Sequence, residues 1–541
     1  MDKMIKETFH FALNMKMKFI LLLLLSGVGV IIAYFQPLLT RRIIDDGLNN
    51  REYSKVIYFA GIILAATLFQ QISEVIQARN YCKIKNQFIQ YLYKIILDKL
   101  VKIDLNCLDK TNSASISNTL TNDISNVSLI FDRSTLIVFN YGIITLGGII
   151  GLAYIDWYLT LIVLLFIPVK LIYIIKFTRR LEEINTDLIK DSVQFYEWWG
   201  ENIEGIKEIK WWRLFDRRNS LLEEKQKLIL NKQYSATMID CYNMACDNIL
   251  ECGVRILIYG YAGYLVCNAQ LSVGALLAFI TYTEYIIRPI SVVLYVKFII
   301  AKIKPSIIHL SNFLESPEEI NYGKLEVGDF ERLEFKNVSF SFDQKDVLKN
   351  CDFLVNRGEK VAIIGHNGSG KSTLVRLILR EIVPKSGKIL LNERNVSDYD
   401  INDYRDTFSI SSQTFFLFKD SLRNNFDLKH ELNDDDIIDR SHIYIELNKS
   451  IMNKMITTNG KNLSGGERQN VALIRALCKN GEVFLLDESD ANLDKEFLHK
   501  LDIMLKNLKE KTVIFITHRK SDFENMDAVY HLENSCLKRI K

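Results

Sequence analysis

The chain has little proline, six residues in 541, and it has no low-complexity tail and no short internal repeat. Long disordered segments and stacked repeat arrays are therefore not expected. It has almost no net charge: 68 Lys and Arg against 65 Asp and Glu leave +3. That balance gives no electrostatic footprint for a nucleic-acid partner. Its nine cysteines lack C-x-x-C spacing and zinc-like neighbours. A disulfide framework and a structural zinc are excluded, and free thiols in a reduced compartment remain.

What the chain does have is unevenly distributed. Hydrophobic residues make up 48% and charged residues 25%, close to the globular average. Yet long apolar runs crowd residues 16–300, whereas 316–541 reads as a soluble protein. Two domains are expected, 1–315 and 316–541.

Lys16 and Lys18 precede the uncharged run Phe19–Phe35. A signal peptide would be shorter and would end in a small-x-small site. This run continues apolar through Leu38 and Leu39, so an uncleaved spanning helix is expected. Ahead of it, residues 1–15 mix Lys, Glu and His with Phe, Leu and Met, the pattern of an amphipathic helix on the inner membrane surface. Six spans are predicted: 18–39, 56–77, 134–155, 157–177, 245–267 and 274–298. A short turn at Asp156 joins the third and fourth and should lie outside. The stretches 78–133 and 178–244 are long, polar and basic, with Lys83, Lys85, Lys94, Arg179, Arg180, Arg213, Arg217 and Arg218. The positive-inside rule puts both in the cytoplasm as helical hairpins, with tips at Leu105–Asp123 and Trp198–Leu214. Arg41 and Arg42 run against the rule, with Asp45 and Asp46 as an offset. Glu251 with Arg255, and Glu284 with Arg288, are each four apart. They read as salt bridges at the inner end of a span or as polar lining of a substrate cavity. The doublets Trp198–Trp199 and Trp211–Trp212 read as interfacial or packing aromatics rather than a ligand cage.

The second half carries recognisable chemistry. A strand-like run, Lys360–Ile364, leads into Gly365-His366-Asn367-Gly368-Ser369-Gly370-Lys371-Ser372-Thr373, and a helical pattern follows. This is a phosphate-binding P-loop in its strand–loop–helix context. Glycines let backbone N–H groups turn inward, and the helix N-terminus adds a favourable dipole. Lys371 is placed to reach the β and γ phosphates of ATP, and Ser372 to offer a hydroxyl to Mg²⁺. A second apolar strand, Val483–Leu486, ends in Asp487-Glu488. Asp487 is placed to hold the Mg²⁺ shell and Glu488 to polarise the attacking water; a plain acidic strand end is the alternative. Between them, Leu463-Ser464-Gly465-Gly466-Glu467-Arg468-Gln469 opens a helix. It reads as a second anion site or as a simple helix cap. One nucleotide needs one P-loop, so a second phosphate site in the same domain is best explained by the nucleotide of a partner subunit.

This ordered set resembles the ATP-binding-cassette superfamily, whose signature is LSGGE-like. The resemblance implies further roles: Gln413 as the Q-loop residue that also touches Mg²⁺, Ala491-Asn492-Leu493-Asp494 as the D-loop, His518 as the switch histidine and Phe342 as the adenine-stacking aromatic. The first half is similar to the exporter branch. Pro37-Leu38-Leu39 with Arg42–Asp45 resembles the end of its first helix, and Leu120–Asp123 and Glu201–Ile206 resemble its two coupling loops. Cys107-Leu108-Asp109 departs from the usual pair of aromatics, and the segment 427–462 is compact. No peptidase-like segment precedes the first span, so cleavage of any leader is expected to be done elsewhere.

The resemblance implies an α-helical membrane domain of six transmembrane helices with long cytoplasmic extensions, the type I (type IV) exporter fold, fused to an α/β P-loop NTPase cassette. It implies an ATP-driven exporter in the cytoplasmic membrane, with the cassette in the cytoplasm. Two chains sandwich two ATP molecules. Gly365–Thr373, Gln413, Asp487, Glu488 and His518 come from one chain, and Ser464 to Glu467 from the other. Glu488 acts as base, while His518 and Lys371 stabilise charge on the γ-phosphate. Because this chain keeps both P-loop and signature, a homodimer is the simplest expectation and a heterodimer the rival. An ATP-gated channel or sensor is the alternative function. Cargo is expected to be a peptide of the bacteriocin kind, a lipid or a drug.

Overall fold

The computed structural model describes residues 2–105, 113–321, 323–342, 345–412, 415–442, 444–445, 447–487, 503–508, 510–517 and 526–541. These form two compact units: the described parts of Met1–Val101 with Ser113–Ser316, and those of Lys102–Asn112 with Pro317–Lys541.

The first unit is helical. Its elements are α1 (Asp2–Asn14), α2 (Lys16–Arg42), α3 (Tyr53–Lys102), α4 (Ser113–Ser128), α5 (Arg133–Ile155), α6 (Trp157–Glu204), α7 (Ile206–Trp211), α8 (Phe215–Cys267) and α9 (Val273–Leu314). Each apolar run read from the sequence lies on one of these helices. Among the described residues, four helices are long and apolar enough to cross a membrane: Lys16–Leu48, Tyr53–Lys102, Trp157–Glu204 and Phe215–Cys267. Two shorter apolar stretches, Asn140–Ile155 and Val273–Ile287, lie on α5 and α9. Apolar side chains such as Ile57, Leu64, Leu68 and Ile72 stay exposed on α3, as a lipid-facing surface requires.

Local chemistry fixes the helix ends. Asp156 caps α6 by accepting from Leu159 N at 2.8 Å, which makes the α5–α6 hairpin tight. Asp45 reaches the start of α9, accepting from Ser272 Oγ and from Gly274 N at 3.0 Å. A Cβ at Gly274 would lie 2.6 Å from Arg41 O, so this approach requires glycine. Arg41 is paired with Asp45 at 3.3 Å, the offset expected for a cation on that side.

α1 is amphipathic. Met4 and Phe11 are buried, whereas Ile5, Phe9 and Leu13 form an exposed stripe at four-residue spacing. Phe11 packs on Phe88, Tyr91 and Phe131.

Glu251 and Arg255 pair differently from the expected i,i+4 pair. Arg255 meets Glu284 across two helices at 3.2 Å. Glu251 instead meets Lys170 at 3.2 Å, and Lys170 also meets Asp247 at 2.7 Å. Lys170 is buried and needs two acids more than Glu251 needs the exposed Arg255. The Arg288 side chain lies outside the described side chains.

The second unit has two sheets. An antiparallel sheet runs β2 (Lys345–Asn356), β1 (Arg332–Phe342), β4 (Ser386–Leu391), β5 (Arg394–Asn395). The second runs β10 (Cys536–Arg539), β9 (Ala528–Glu533), β3 (Lys360–Ile364), β8 (Thr512–Thr517), β7 (Val483–Asp487), β6 (Phe408–Ser411). All its pairings are parallel except β9–β10. Among the described residues it also has helices α10 (Lys371–Ile378), α11 (Ile401–Asp406), α12 (Leu422–Phe426), α13 (Asp434–Ser441), α14 (Lys449–Met452) and α15 (Gly465–Lys479). Strand alternation sends Val361, Ile363, Leu485 and Ile514 to one core with α10, and Ala362, Ile364, Phe484 and Phe515 to another with α15. Burial on both faces explains the continuous apolar runs of these strands.

Candidate functional site

The P-loop leaves β3 at Ile364 and enters α10 at Lys371. Gly368 (φ +77°) and Gly370 (φ +108°) turn the backbone through the left-handed region. A Cβ at Gly365 would lie 2.6 Å from Ser369 Oγ and 2.7 Å from Leu532 O. Ser369 Oγ is buried without a hydrogen-bond partner, a donor awaiting an acceptor such as a phosphate oxygen. Lys371 is buried, and its Nζ donates to Gly365 O at 3.0 Å and His366 O at 3.2 Å. The ammonium thus lies across the loop. His366, Asn367 and Gly368 are exposed, Ser372 is exposed at the first turn of α10, and Thr373 is buried.

Asp487 ends β7. It is paired in register with Ile516, while Ile364 is paired with Thr517 of the same strand β8. The carboxylate and the P-loop therefore leave the same edge of the sheet, two strand spacings or about 10 Å apart. That is the crevice at the carboxyl ends of parallel strands where ligands bind in open α/β sheets. Ser372 and Asp487 are the described oxygen donors that fit Mg²⁺ beside a phosphate chain. Phe342 ends β1, is exposed at 43%, and lies edge-on to Phe340 at 4.9 Å. It pairs with Lys345, two residues before Val347, whose Cγ1 would sit 3.0 Å from a Cβ on Gly370. An open aromatic face thus stands near the loop. Gln413, Glu488, His518 and the segment 491–494 lie outside the described residues.

Ser464 is the N-cap of α15. Its Oγ accepts from Glu467 N at 3.2 Å, and Glu467 Oε2 accepts from Ser464 N at 2.8 Å, a reciprocal capping box. The backbone N–H of Ser464, with the Lys454 ammonium behind it, holds the Glu467 carboxyl below its ordinary range. Ser464, Gly465 and Glu467 are exposed, and a Cβ on Gly465 or Gly466 would meet nothing within 4 Å. Helix capping is therefore real, and the two glycines leave the helix end bare for an approaching group.

One supporting residue was not singled out from the sequence. Arg475 on α15 donates to Asn425 O at 2.8 Å and Phe416 O at 3.1 Å, tying down the segment after Gln413. Burial lowers its pKa to about 10. Arg475 lies one helical turn past Val471, on the buried side of the signature helix, a position that hydropathy alone does not mark.

Residues 19–290 match the family model of the ABC transporter transmembrane region, and residues 348–491 match that of the ABC transporter. The chain belongs to the ABC transporter family, with membrane region and cassette in one polypeptide. It is similar to an ATP-dependent lipid A-core flippase of Pseudoalteromonas translucida (strain TAC 125), 25% identical over 512 residues, covering 92% of this chain and 87% of the relative. It is also similar to the Bacillus subtilis (strain 168) protein named "Putative multidrug export ATP-binding/permease protein YgaD", 25% identical over 566 residues and covering 99% and 95%. The protein is a multi-pass membrane ATPase coupled to transport, with its cassette in the cytoplasm.

Proposed function

We propose that the chain is half of a homodimeric exporter that uses ATP hydrolysis to move a substrate outward across the cytoplasmic membrane. The observation that carries this reading is the bare end of α15 at Ser464–Gly466, an exposed anion-type site in a cassette that already has a P-loop. Such a site is most simply completed by the nucleotide held on a second copy.

In this reading Gly365–Thr373 cradle the phosphates and Lys371 leaves its loop carbonyls for the β and γ phosphates. Phe342 stacks on adenine. Ser372, Asp487 and Gln413 would hold Mg²⁺, which when bound would neutralise phosphate charge. Glu488 takes the proton of the attacking water, and His518 donates to the γ-phosphate. Ser464 and Gly466 of the second copy complete the site only when the two cassettes close. ATP therefore binds the closed state better, which is the condition for driving it. The tip between α6 and α8 exposes Trp211, Trp212 and Phe215 at 73%, 74% and 69%, an apolar surface patch. The relatives are named for lipid A-core and multidrug export, which supports an amphipathic substrate; a peptide of the same character is equally served.

Cysteines at Ser464 and Ser369 in an otherwise cysteine-free chain test the dimer. An ATP-dependent cross-link between two chains is expected, and purely intramolecular products would sink the arrangement. Inside-out vesicles test the pump: Glu488→Gln should abolish both hydrolysis and accumulation. Accumulation against a gradient without hydrolysis would overturn the ATP-driven pump, and ATP-dependent downhill flux with no accumulation in the wild type would point to the channel or sensor reading instead.

A further inference from the structure

α15 carries two features on one rod. Its N-terminus is the Ser464–Glu467 capping box, and eleven residues past Ser464, about 16 Å along the helix, stands Arg475. Val471, Ala472, Leu473 and Ile474 between them are buried, so the rod is packed along its length.

The guanidinium of Arg475 reaches three acceptors. Nε donates to Asn425 O at 2.8 Å, Nη1 to Phe416 O at 3.1 Å and Nη2 to Asn425 Oδ1 at 3.2 Å. Asn425 is fully buried and knits the same stretch. Its Nδ2 donates to Phe418 O and Ser421 O, each at 3.0 Å, and its Oδ1 accepts from Phe418 N at 3.0 Å. Asn459 N adds a bond to Leu417 O at 2.8 Å. β6 ends at Ser411 in the sheet, whereas the stretch from Phe416 is bonded to α12, α15 and Asn459. The chain therefore passes from the sheet to the helices between Ser411 and Phe416, and Gln413 falls in that passage by sequence.

The charge of Arg475 is the unusual part. Burial lowers its pKa to about 10, and among the described residues no carboxylate lies within ion-pair distance of it. It lines a cavity of about 500 Å³ that also holds Asp406, Asp427 and Glu431. Asp406 is taken by Lys429 at 3.2 Å and Lys479 at 3.5 Å. Asp427 accepts from Lys429 N at 3.2 Å and Leu432 N at 2.7 Å, and Glu431 is exposed. A desolvated cation without a countercharge is costly. No neutral side chain offers three donors in one plane, so only the guanidinium fork serves these three acceptors at once.

Resting on the two-chain site proposed above, we propose that Arg475 is a positioning residue for ATP hydrolysis. It locks the segment after Gln413 to the signature helix, so that seating Ser464 on a partner's nucleotide sets where Gln413 stands in its own site. The P-loop leaves β3, three strands from β6 in the sheet, so ATP binding there does not depend on this lock. The step that needs Gln413 in place does depend on it, and a misplacement of about 1 Å costs about a hundredfold in rate.

Steady-state hydrolysis by the full-length protein in nanodiscs tests this. Arg475→Ala should lower kcat about ten- to a hundredfold while the KM for ATP changes by less than about twofold. Arg475 lines an open cavity, so guanidinium chloride at low concentration should restore about tenfold of the lost rate, and ammonium chloride should not. Arg475→Lys keeps the charge without the fork and should stay near the Arg475→Ala rate; this variant serves if Arg475→Ala folds poorly. Wild-type kcat in Arg475→Lys, a raised KM with kcat unchanged, or a loss that guanidinium fails to relieve in a folded Arg475→Ala chain would overturn the role. The cross-link between Ser464→Cys and Ser369→Cys separates this proposal from the one it rests on. It should form between chains in Arg475→Ala as in the parent, because closure precedes the step that Arg475 serves. Its loss in Arg475→Ala alone would make Arg475 a closure residue and overturn the proposal. If only intramolecular products form in both while guanidinium rescue stands, the two-chain site falls and the positioning role within one cassette survives.

Discussion

The guanidinium of Arg405 grips the carboxylate of Glu319 through two contacts of 2.9 Å. Glu319 lies five residues past the end of α9, in the segment that enters the cassette. The same segment is pinned by its backbone: Glu319 N donates to Lys102 O at 2.8 Å, and Asp104 N donates to Pro317 O at 3.0 Å. Arg380 adds contacts to Ile320 O and Tyr399 O, and Asn321 bonds Asp400 at 3.0 Å. The covalent link into the cassette is thus held by side chains and strand-like pairing together.

Replacing that fork tests its role. Arg405→Lys keeps the charge but loses the bidentate geometry, and it should cost about 1–2 kcal/mol of cassette stability. Thermal unfolding of the full chain reads this. If the segment also transmits motion, substrate moved per ATP should fall while basal hydrolysis is retained. An unchanged ratio would leave the fork as a purely structural clamp.

The phosphate loop makes a sharper prediction. At Gly370, φ is +108°, and a Cβ would meet Val347 Cγ1 at 3.0 Å. Gly370→Ala combines left-handed strain with that contact and should destabilise the loop by about 1–2 kcal/mol. ATP binding, followed with a fluorescent nucleotide, should weaken together with hydrolysis. Lys371→Ala should lower hydrolysis by about a hundredfold or more with a smaller effect on folding. Normal ATP binding and turnover in Lys371→Ala would remove the lysine from the proposed machinery.

The Glu467 carboxyl sits below its ordinary value of 4.5 because it accepts the Ser464 N–H. A lowered folded pKa contributes stability that is present above the unfolded value and lost as pH falls through the folded one. Glu467→Ala should therefore destabilise the start of α15 at neutral pH by about 0.5–1 kcal/mol. The gap between wild type and variant should stay constant above the ordinary value and close as acidification proceeds below it. A gap that widened in acid would contradict the capping role. Unfolding of the full chain across a pH series provides the measurement.

These sites were legible in the sequence to different degrees, and locality explains why. The loop Gly365–Thr373 and the cap Ser464–Glu467 are built from adjacent backbone groups, so a short run of residues carries the geometry. The parallel strands were legible because burial on both faces makes them continuously apolar. The partners of Glu251 and Arg255 were not, since helix spacing ranks the i,i+4 neighbour first while packing brings Lys170 and Glu284 from other helices. The Asp45 contact with Gly274 likewise joins residues 229 apart.

The pairing of Lys170 supplies the last prediction. Its ammonium is buried between Asp247 at 2.7 Å and Glu251 at 3.2 Å, and it also donates to Ile287 O at 3.2 Å. Tyr173 Oη donates to the same Asp247 at 2.6 Å. Two residues past Ile287, Pro289 lacks the N–H that would bond Tyr285 O, and Thr145 Oγ1 approaches that carbonyl at 3.4 Å instead. α9 runs on through Pro289 but lacks one ladder hydrogen bond close to where Lys170 holds it. Lys170→Met would leave two acids without their buried cation and should cost about 3–5 kcal/mol. Adding Glu251→Gln removes one of those charges and should restore a measurable part, because Tyr173 still serves Asp247. Melting temperatures of the detergent-purified protein and its two variants provide the test. A double variant no more stable than Lys170→Met would mean that Lys170 acts chiefly through Ile287 O rather than through the carboxylates.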